Sequence, residues 1–161
     1  MEFPGIKKSL TYLQINNAQP EMVFPLLCPV REKDWIDGWD YKMIFSRSGL
    51  IEEGCIFSTV HQGKEPTIWY VTRHDVKNYI VEFVRISPGE EVVKIIIALQ
   101  GQDNGTTTAE ITYEYTGLNE IRNKWIKNQM ESDFTESMIW WEKAINYYLE
   151  TGKKLMKKLE K

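Results

Sequence analysis

The stretch CPVREKDWIDGWDY, Cys28 to Tyr41, sets a thiol, a guanidinium, several carboxylates and two indoles close together. Taken as chemistry it is a crowded active site; taken as backbone it is a corner. The backbone signals are the stronger. Pro29 suits the first turn of a helix, where its missing N–H is not needed and its ring holds φ near the helical value. Gly38 suits a left-handed stop about two turns later. Trp39, Tyr41, Met43 and Phe45 then alternate with Asp40, Lys42, Ile44 and Ser46, a period of two that gives a strand one aromatic and apolar face. The segment therefore reads as a short helix, ending near Ile36 or Asp37, that turns into a strand. On so short a helix several of Arg31, Glu32, Lys33 and Asp34 must face solvent, while Trp35 and Ile36 face the interior. Trp39 and Tyr41 lead into the wall of whatever the strand encloses.

Upstream, Ser9 to Ala18 reads as a strand with apolar positions at Leu10, Tyr12, Leu13 and Ile15. Pro20 and Glu21 then start another short helix. Downstream, five more strand-like segments follow: Cys55 to Val60, Thr67 to Arg73, Asn78 to Ser87, Val92 to Gln100 and Thr106 to Thr116. Tight turns separate them at Ser48-Gly49, Gln62-Gly63-Lys64, Asp75 to Asn78, Pro88-Gly89 and Asp103-Asn104-Gly105. From Leu118 to Thr151 the chain has neither Gly nor Pro, room for a short helix and then a long one from Ser132 to about Lys158. The long helix carries an apolar stripe through Phe134, Met138, Trp141, Ile145 and Tyr148 to Gly152 and Leu155. Strands joined by hairpins make an antiparallel sheet, and one amphipathic helix to cover it implies an α+β fold, a curved sheet wrapped on that helix. At 161 residues the expectation is one domain over 1–161.

Composition narrows the function. Net charge is −3, with 42% hydrophobic and 27% charged residues, so nothing draws the chain to nucleic acid or anionic lipid. The basic run Lys153, Lys154, Lys157 and Lys158 suits the negative end of a helix dipole. Two cysteines, Cys28 and Cys55, make no disulfide framework and fit a reducing compartment. The N-terminal residues show no signal-peptide pattern, and no apolar run reaches about 18 residues. The expectation is a cytoplasmic protein without membrane insertion.

Four blocks, PLLCPVREKDWIDGW, SGLIEEGCIFST, TIWYVTRHD and WEKAINYYLETGK, resemble in their order the successive blocks of one bacterial branch of the START-like, Bet v 1-like (SRPBCC) superfamily. Members of that branch are often labelled polyketide cyclase/dehydrase-like. The resemblance covers nearly the whole chain. It implies the helix-grip fold: a curved seven-stranded antiparallel sheet around a long C-terminal helix, with two short helices after strand 1. It also implies an internal pocket for an apolar or aromatic small molecule. It implies no particular reaction, because the superfamily includes lipid carriers, cyclases, plant allergens and chaperone activators.

Strand parity and the helix stripe nominate the lining of such a pocket: Tyr41, Phe45, Phe57, Thr59, Trp69, Phe83, Arg85, Tyr113, Tyr115, Met138, Trp141 and Tyr148. The inward face of two strands stays open. Arg85 shares parity with Phe83, whereas Ile80, Val84 and Ile86 argue for the opposite face. Turned inward, Arg85 would bind a carboxylate, enolate or phenolate; turned outward, it would pair with Glu110 or Glu114. Cys28, Cys55, His61 and His74 show no metal-ligand spacing, and no metal or cofactor is expected. Three functions follow. The first is binding of a small hydrophobic or aromatic ligand. The second is a cyclase, aromatase or hydratase in which Arg85 holds an oxyanion and Tyr113 or Tyr115 moves a proton. The third is a protein-interaction role like that of the chaperone activators. The enzyme reading lacks a His, or an obvious inward carboxylate, at a pocket position. Trp140 and Tyr147 flank the helix stripe; they contact the first strand or the short helices, or form a homodimer surface.

Overall fold

The computed structural model describes residues 3–61 and 63–157, and its strands form one antiparallel sheet in the order β1-β7-β6-β5-β4-β3-β2. The strands are β1 (Lys7–Asn16), β2 (Lys42–Phe45), β3 (Ile56–Thr59), β4 (Thr67–Asp75), β5 (Ile80–Ser87), β6 (Glu91–Gly101) and β7 (Thr107–Gly117). Between β1 and β2 lie α1 (Pro20–Val23), a 3-10 turn (Phe24–Leu26) and α2 (Pro29–Trp35). This helical corner carries the chain from one edge of the sheet to the other, and each later hairpin adds the next strand inward until β7 meets β1. Helices α3 (Glu120–Asn128) and α4 (Met130–Thr151) follow. Gln62 of one expected turn and Lys158 of the basic run lie outside the described residues.

The corner forms as its residues dictate. Pro29 opens α2, and Gly38 adopts φ 81° just beyond it. Trp35 is fully buried, donates from Nε1 to the Leu26 carbonyl at 3.0 Å, and meets Trp141 of α4 edge-on at 5.0 Å. The strand begins later than expected, at Lys42. Trp39 instead straps back to α2, its Nε1 donating to the Pro29 carbonyl at 2.9 Å.

Inward parity is now settled. On β4 and β5, Val71, Val81 and Phe83 are buried, and Trp69 pairs with Arg85 across the ladder on the same face. Ile86 and Tyr70 are exposed. Val93, Ile95, Ile97 and Leu99 of β6, with Ala109 and Ile111 of β7, continue the concave face against Phe134, Met138, Ala144 and Ile145 of α4. On β1 the phase follows β7: Tyr12 pairs with Ile111 and Gln14 with Ala109, so Gln14 and Asn16 turn inward. Leu13 and Ile15, expected to be apolar positions, are exposed.

Two expectations need correction. Phe45 does not face inward. The ladder shifts between Met43, which opposes Phe57, and Phe45, which opposes Ile56, so the bulge flips the parity and leaves Phe45 51% exposed. Nor does α4 run to Lys158. It stops at Thr151, with Gly152 left-handed at φ 70°. Leu155 then bridges to Ile36, and the Lys157 N–H donates to Asp37 Oδ2 at 3.0 Å, so the segment after the helix returns to the exit of α2.

Candidate ligand-binding site

A cavity of about 210 Å³ lies between the sheet and the helices. Phe57, Trp69, Phe83, Arg85, Ile95, Ile97 and Tyr113 form its sheet wall; Glu32, Ile36, Trp39 and Trp141 close the other side. The aromatic rings hold one another in place. Phe57 stacks on Trp69 at 5.3 Å, Phe83 meets Trp69 edge-on at 6.0 Å, and Trp39 stands edge-on to both Trp69 and Phe57. Trp69 Nε1 donates to Thr59 Oγ1 at 3.1 Å, which fixes the tilt of the indole. The result is an aromatic wall with few polar groups.

Arg85 is the charged feature of the sheet wall. Its guanidinium lies 5.4 Å from the centroid of the Trp69 ring, 5.8 Å from that of Tyr113 and 5.7 Å from that of Tyr115. Among the described residues its one side-chain hydrogen bond goes to the Tyr115 hydroxyl, at 3.1 Å. The rest of a planar donor fork remains open to a ligand. The expected outward partners are not used: Glu114 pairs with Lys7, and Arg85 instead approaches Glu91 Oε2 at 3.9 Å. Glu91 is only 4% exposed and also binds Arg122, whose guanidinium stacks on Trp125 at 3.7 Å. Beyond Arg85 and Tyr113 lies a second space of about 210 Å³, which Tyr115, Arg122, Phe134 and Met138 help to line. A wider cleft of about 680 Å³ opens outside it, bordered by Tyr113, Met138, Trp140, Trp141 and Lys157.

Glu32 is the lining residue that sequence reasoning did not nominate. It stood among four charges of α2, several of which were expected to face solvent, and it lines the cavity. It is partly buried; burial pushes its carboxyl up to about 8 from an ordinary 4.5. Helical spacing carried the signal. Glu32 lies three residues before the buried Trp35 and four before Ile36, so it shares their face. Burial also raises the phenols of Tyr113 and Tyr115, although Arg85 pulls both back down. The site therefore combines a guanidinium with phenols whose burial favours the protonated form and a carboxyl whose burial favours the neutral one.

The other candidates divide. Phe57, Trp69, Phe83, Arg85, Tyr113 and Trp141 meet in the inner cavity. Tyr115 and Met138 line the second space. Tyr41 and Thr59 border a shallow outer pocket instead, with Thr59 reaching the cavity only through Trp69. Phe45 is outside, and Tyr148 sits beside Arg31 rather than in these spaces. Trp140 borders the outer cleft, with Lys157 Nζ 5.4 Å from the centroid of its ring. His74 stacks on Phe24 at 5.2 Å, and Cys55 Sγ contacts Met43 Sδ at 3.5 Å. Among the described residues no three His, Cys, Asp or Glu side chains cluster as a metal site.

This sheet gripping a long helix is the helix-grip fold of the START-like, Bet v 1-like proteins. A Staphylococcus aureus protein of unknown function superposes with a TM-score of 0.69 at 13% identity, over 92% of this chain and 96% of its own. Ara h 8.0201 gives 0.66 at 13% identity, over 91% of this chain and 99% of its own. Norcoclaurine synthase from Thalictrum flavum, in complex with dopamine and hydroxybenzaldehyde, gives 0.63 at 11% identity, over 90% and 87%. No protein-family model matches the sequence, and no curated protein matches it. At such identities the likeness is one of fold. Among the described residues no helix is long and apolar enough to cross a membrane.

Proposed function

We propose that the chain binds a small aromatic molecule in the cavity between its sheet and α4. The observation that carries this reading is the aromatic box around Trp69 with the open donor fork of Arg85 in its wall. Such walls select flat ligands by stacking, and the fork orients an anionic or carbonyl oxygen. Size limits the ligand. At about 210 Å³ the cavity lies below the roughly 300–1,000 Å³ usual for small-molecule sites, so it suits a small guest such as one ring with short substituents. A larger, polyketide-like molecule would have to extend past Tyr113 into the second space. That a protein of the same fold is solved with dopamine and hydroxybenzaldehyde supports a one-ring guest. The preformed cavity counts against a role built on the surface alone, as in the chaperone activators.

The test is native mass spectrometry of the protein freshly purified from its own host, followed by thermal-shift titration with para-toluate and indole. A stoichiometric small aromatic adduct, or stabilisation that saturates with either probe, supports the reading. An empty protein that neither probe stabilises sinks it.

One observation favours a second reading, an enzyme acting on such a molecule. Glu32 supplies the cavity carboxyl, tuned toward neutrality, that proton transfer needs. Deuterium exchange at the α-carbon of an aryl ketone in D₂O tests it. Exchange lost in Glu32→Gln supports catalysis, and equal rates in both proteins count against it.

A further inference from the structure

We propose that the cavity is built for a bipolar aromatic ligand, an ammonium group at Glu32 and an anionic group at Arg85 on either side of one ring. This rests on the ligand-binding reading and specifies its ligand.

The two poles belong to one cavity, yet they do not pair with each other. Arg85 has its charge answered from behind by Glu91, at 3.9 Å. Among the described residues no side chain donates a hydrogen bond to Glu32 and no cation pairs with it. The neighbouring cations of α2 are already taken: Arg31 pairs with Asp34 at 3.1 Å and Lys33 with Asp40 at 3.9 Å. An inward carboxyl without a partner is expensive, and an apolar residue there would cost less. Glu32 and Arg85 line one aromatic space without pairing, an arrangement that suits a ligand bringing an ammonium to the first and an anion to the second. The surroundings suit the ammonium pole in particular. Trp39, Trp69 and Trp141 bring indole rings to the space that Glu32 faces, and cations are held well over such faces.

Proton linkage supports the same assignment. With the cavity empty, burial keeps Glu32 largely protonated at pH 7. An ammonium beside it favours the ionised form, so binding expels a proton. The other titratable groups facing this space are Arg85 from β5 and Tyr113 from β7, and burial favours the protonated form of the Tyr113 phenol. Tyr148 of α4 engages Arg31. Glu32 is thus the group whose proton leaves.

The experiment is isothermal titration of the full chain with four para-disubstituted benzene probes. Para-(aminomethyl)benzoate carries both poles, para-toluate only the anion, para-methylbenzylamine only the cation, and para-methylbenzyl alcohol neither. The zwitterion is expected to bind at least about tenfold more tightly than either singly charged probe. Glu32→Gln should abolish its advantage over para-toluate, and Arg85→Gln its advantage over the benzylamine. Repeating the wild-type titration at pH 7 in two buffers of different ionisation enthalpy should show proton release that Glu32→Gln removes. If the probes bind without preference for the zwitterion, or Glu32→Gln leaves the ratios unchanged, the bipolar assignment is overturned while ligand binding stands. If none of the four binds, the ligand-binding reading falls as well.

Discussion

Glu91 answers two guanidiniums at once, those of Arg85 and Arg122, from a position almost closed to water. Its replacement strands both cations in a poorly solvated place. Glu91→Ala is therefore expected to cost about 3–5 kcal/mol in urea unfolding, the usual penalty for breaking a buried pair. A loss below about 1 kcal/mol would mean that water reaches the cluster. Glu32 behaves in the opposite sense. Its folded-state pKa, about 8, lies above its ordinary 4.5, so the folded state holds the extra proton between those values. Whatever stability the proton carries is complete below pH 4.5, falls as pH rises, and is gone above about 8. The slope is at most about 1.4 kcal/mol per pH unit. Glu32→Gln should flatten this decline and be more stable than wild type at pH 8. Parallel stability–pH curves for the two proteins would show that the carboxyl is solvated. This residue also marks the limit of sequence reading. On a short charged helix the default for any carboxylate is solvent, and only the shared face with Trp35 and Ile36 argued otherwise. Arg85 was ambiguous for a related reason. Both faces of β5 are apolar, so parity alone chose no side until the ladder set Arg85 opposite Trp69 and Phe83 opposite the buried Val71.

At the scale of elements, turn chemistry was the most legible signal. Pro29 and Gly38 bracket α2 as read, because proline and left-handed glycine act through the backbone whatever packs around them. Gly152 carries the same signal at the end of α4, but the apolar stripe running on to Leu155 drew the expected helix past it. The bulge in β2 left no such signal, and it moved Phe45 outward. The treatment of the edge strand β1 was equally hidden, since it depends on residues more than a hundred positions away. Glu142 of α4 accepts from the Tyr12 hydroxyl at 2.8 Å and the Ile15 N–H at 2.7 Å. Asn146 accepts from the Asn17 N–H and donates to the Ile15 carbonyl, both at 2.9 Å. The helix thus caps the free edge that would otherwise recruit another strand. The double variant Glu142→Ala/Asn146→Ala should speed amide exchange at Ile15 and Asn17 by about tenfold or more and promote association on warming. Unchanged exchange at those two amides would show that the edge closes without these bonds. Trp35→Ala, which empties the joint between α2 and α4, should cost about 3–5 kcal/mol; a smaller loss in the same unfolding assay would mean that α2 is only loosely seated.

For the whole molecule, the order of elements carried the architecture. One strand, a helical corner, a run of hairpin-linked strands and a last amphipathic helix leave few ways to bury every apolar face. The space that such a grip encloses is a different matter. It depends on which side chains stop short of one another, here the indoles of Trp39, Trp69 and Trp141 around Arg85 and Glu32, and such distances have no periodicity to read. The central claim, a ligand seated in that space, is tested most directly by the indole N–H resonances of the six tryptophans during titration with para-toluate. The account predicts saturable shifts largest for Trp39 and Trp69, which frame the cavity, and small for Trp125 and Trp140, which do not. No shift at any indole, or a shift confined to Trp140 at the outer cleft, would contradict it.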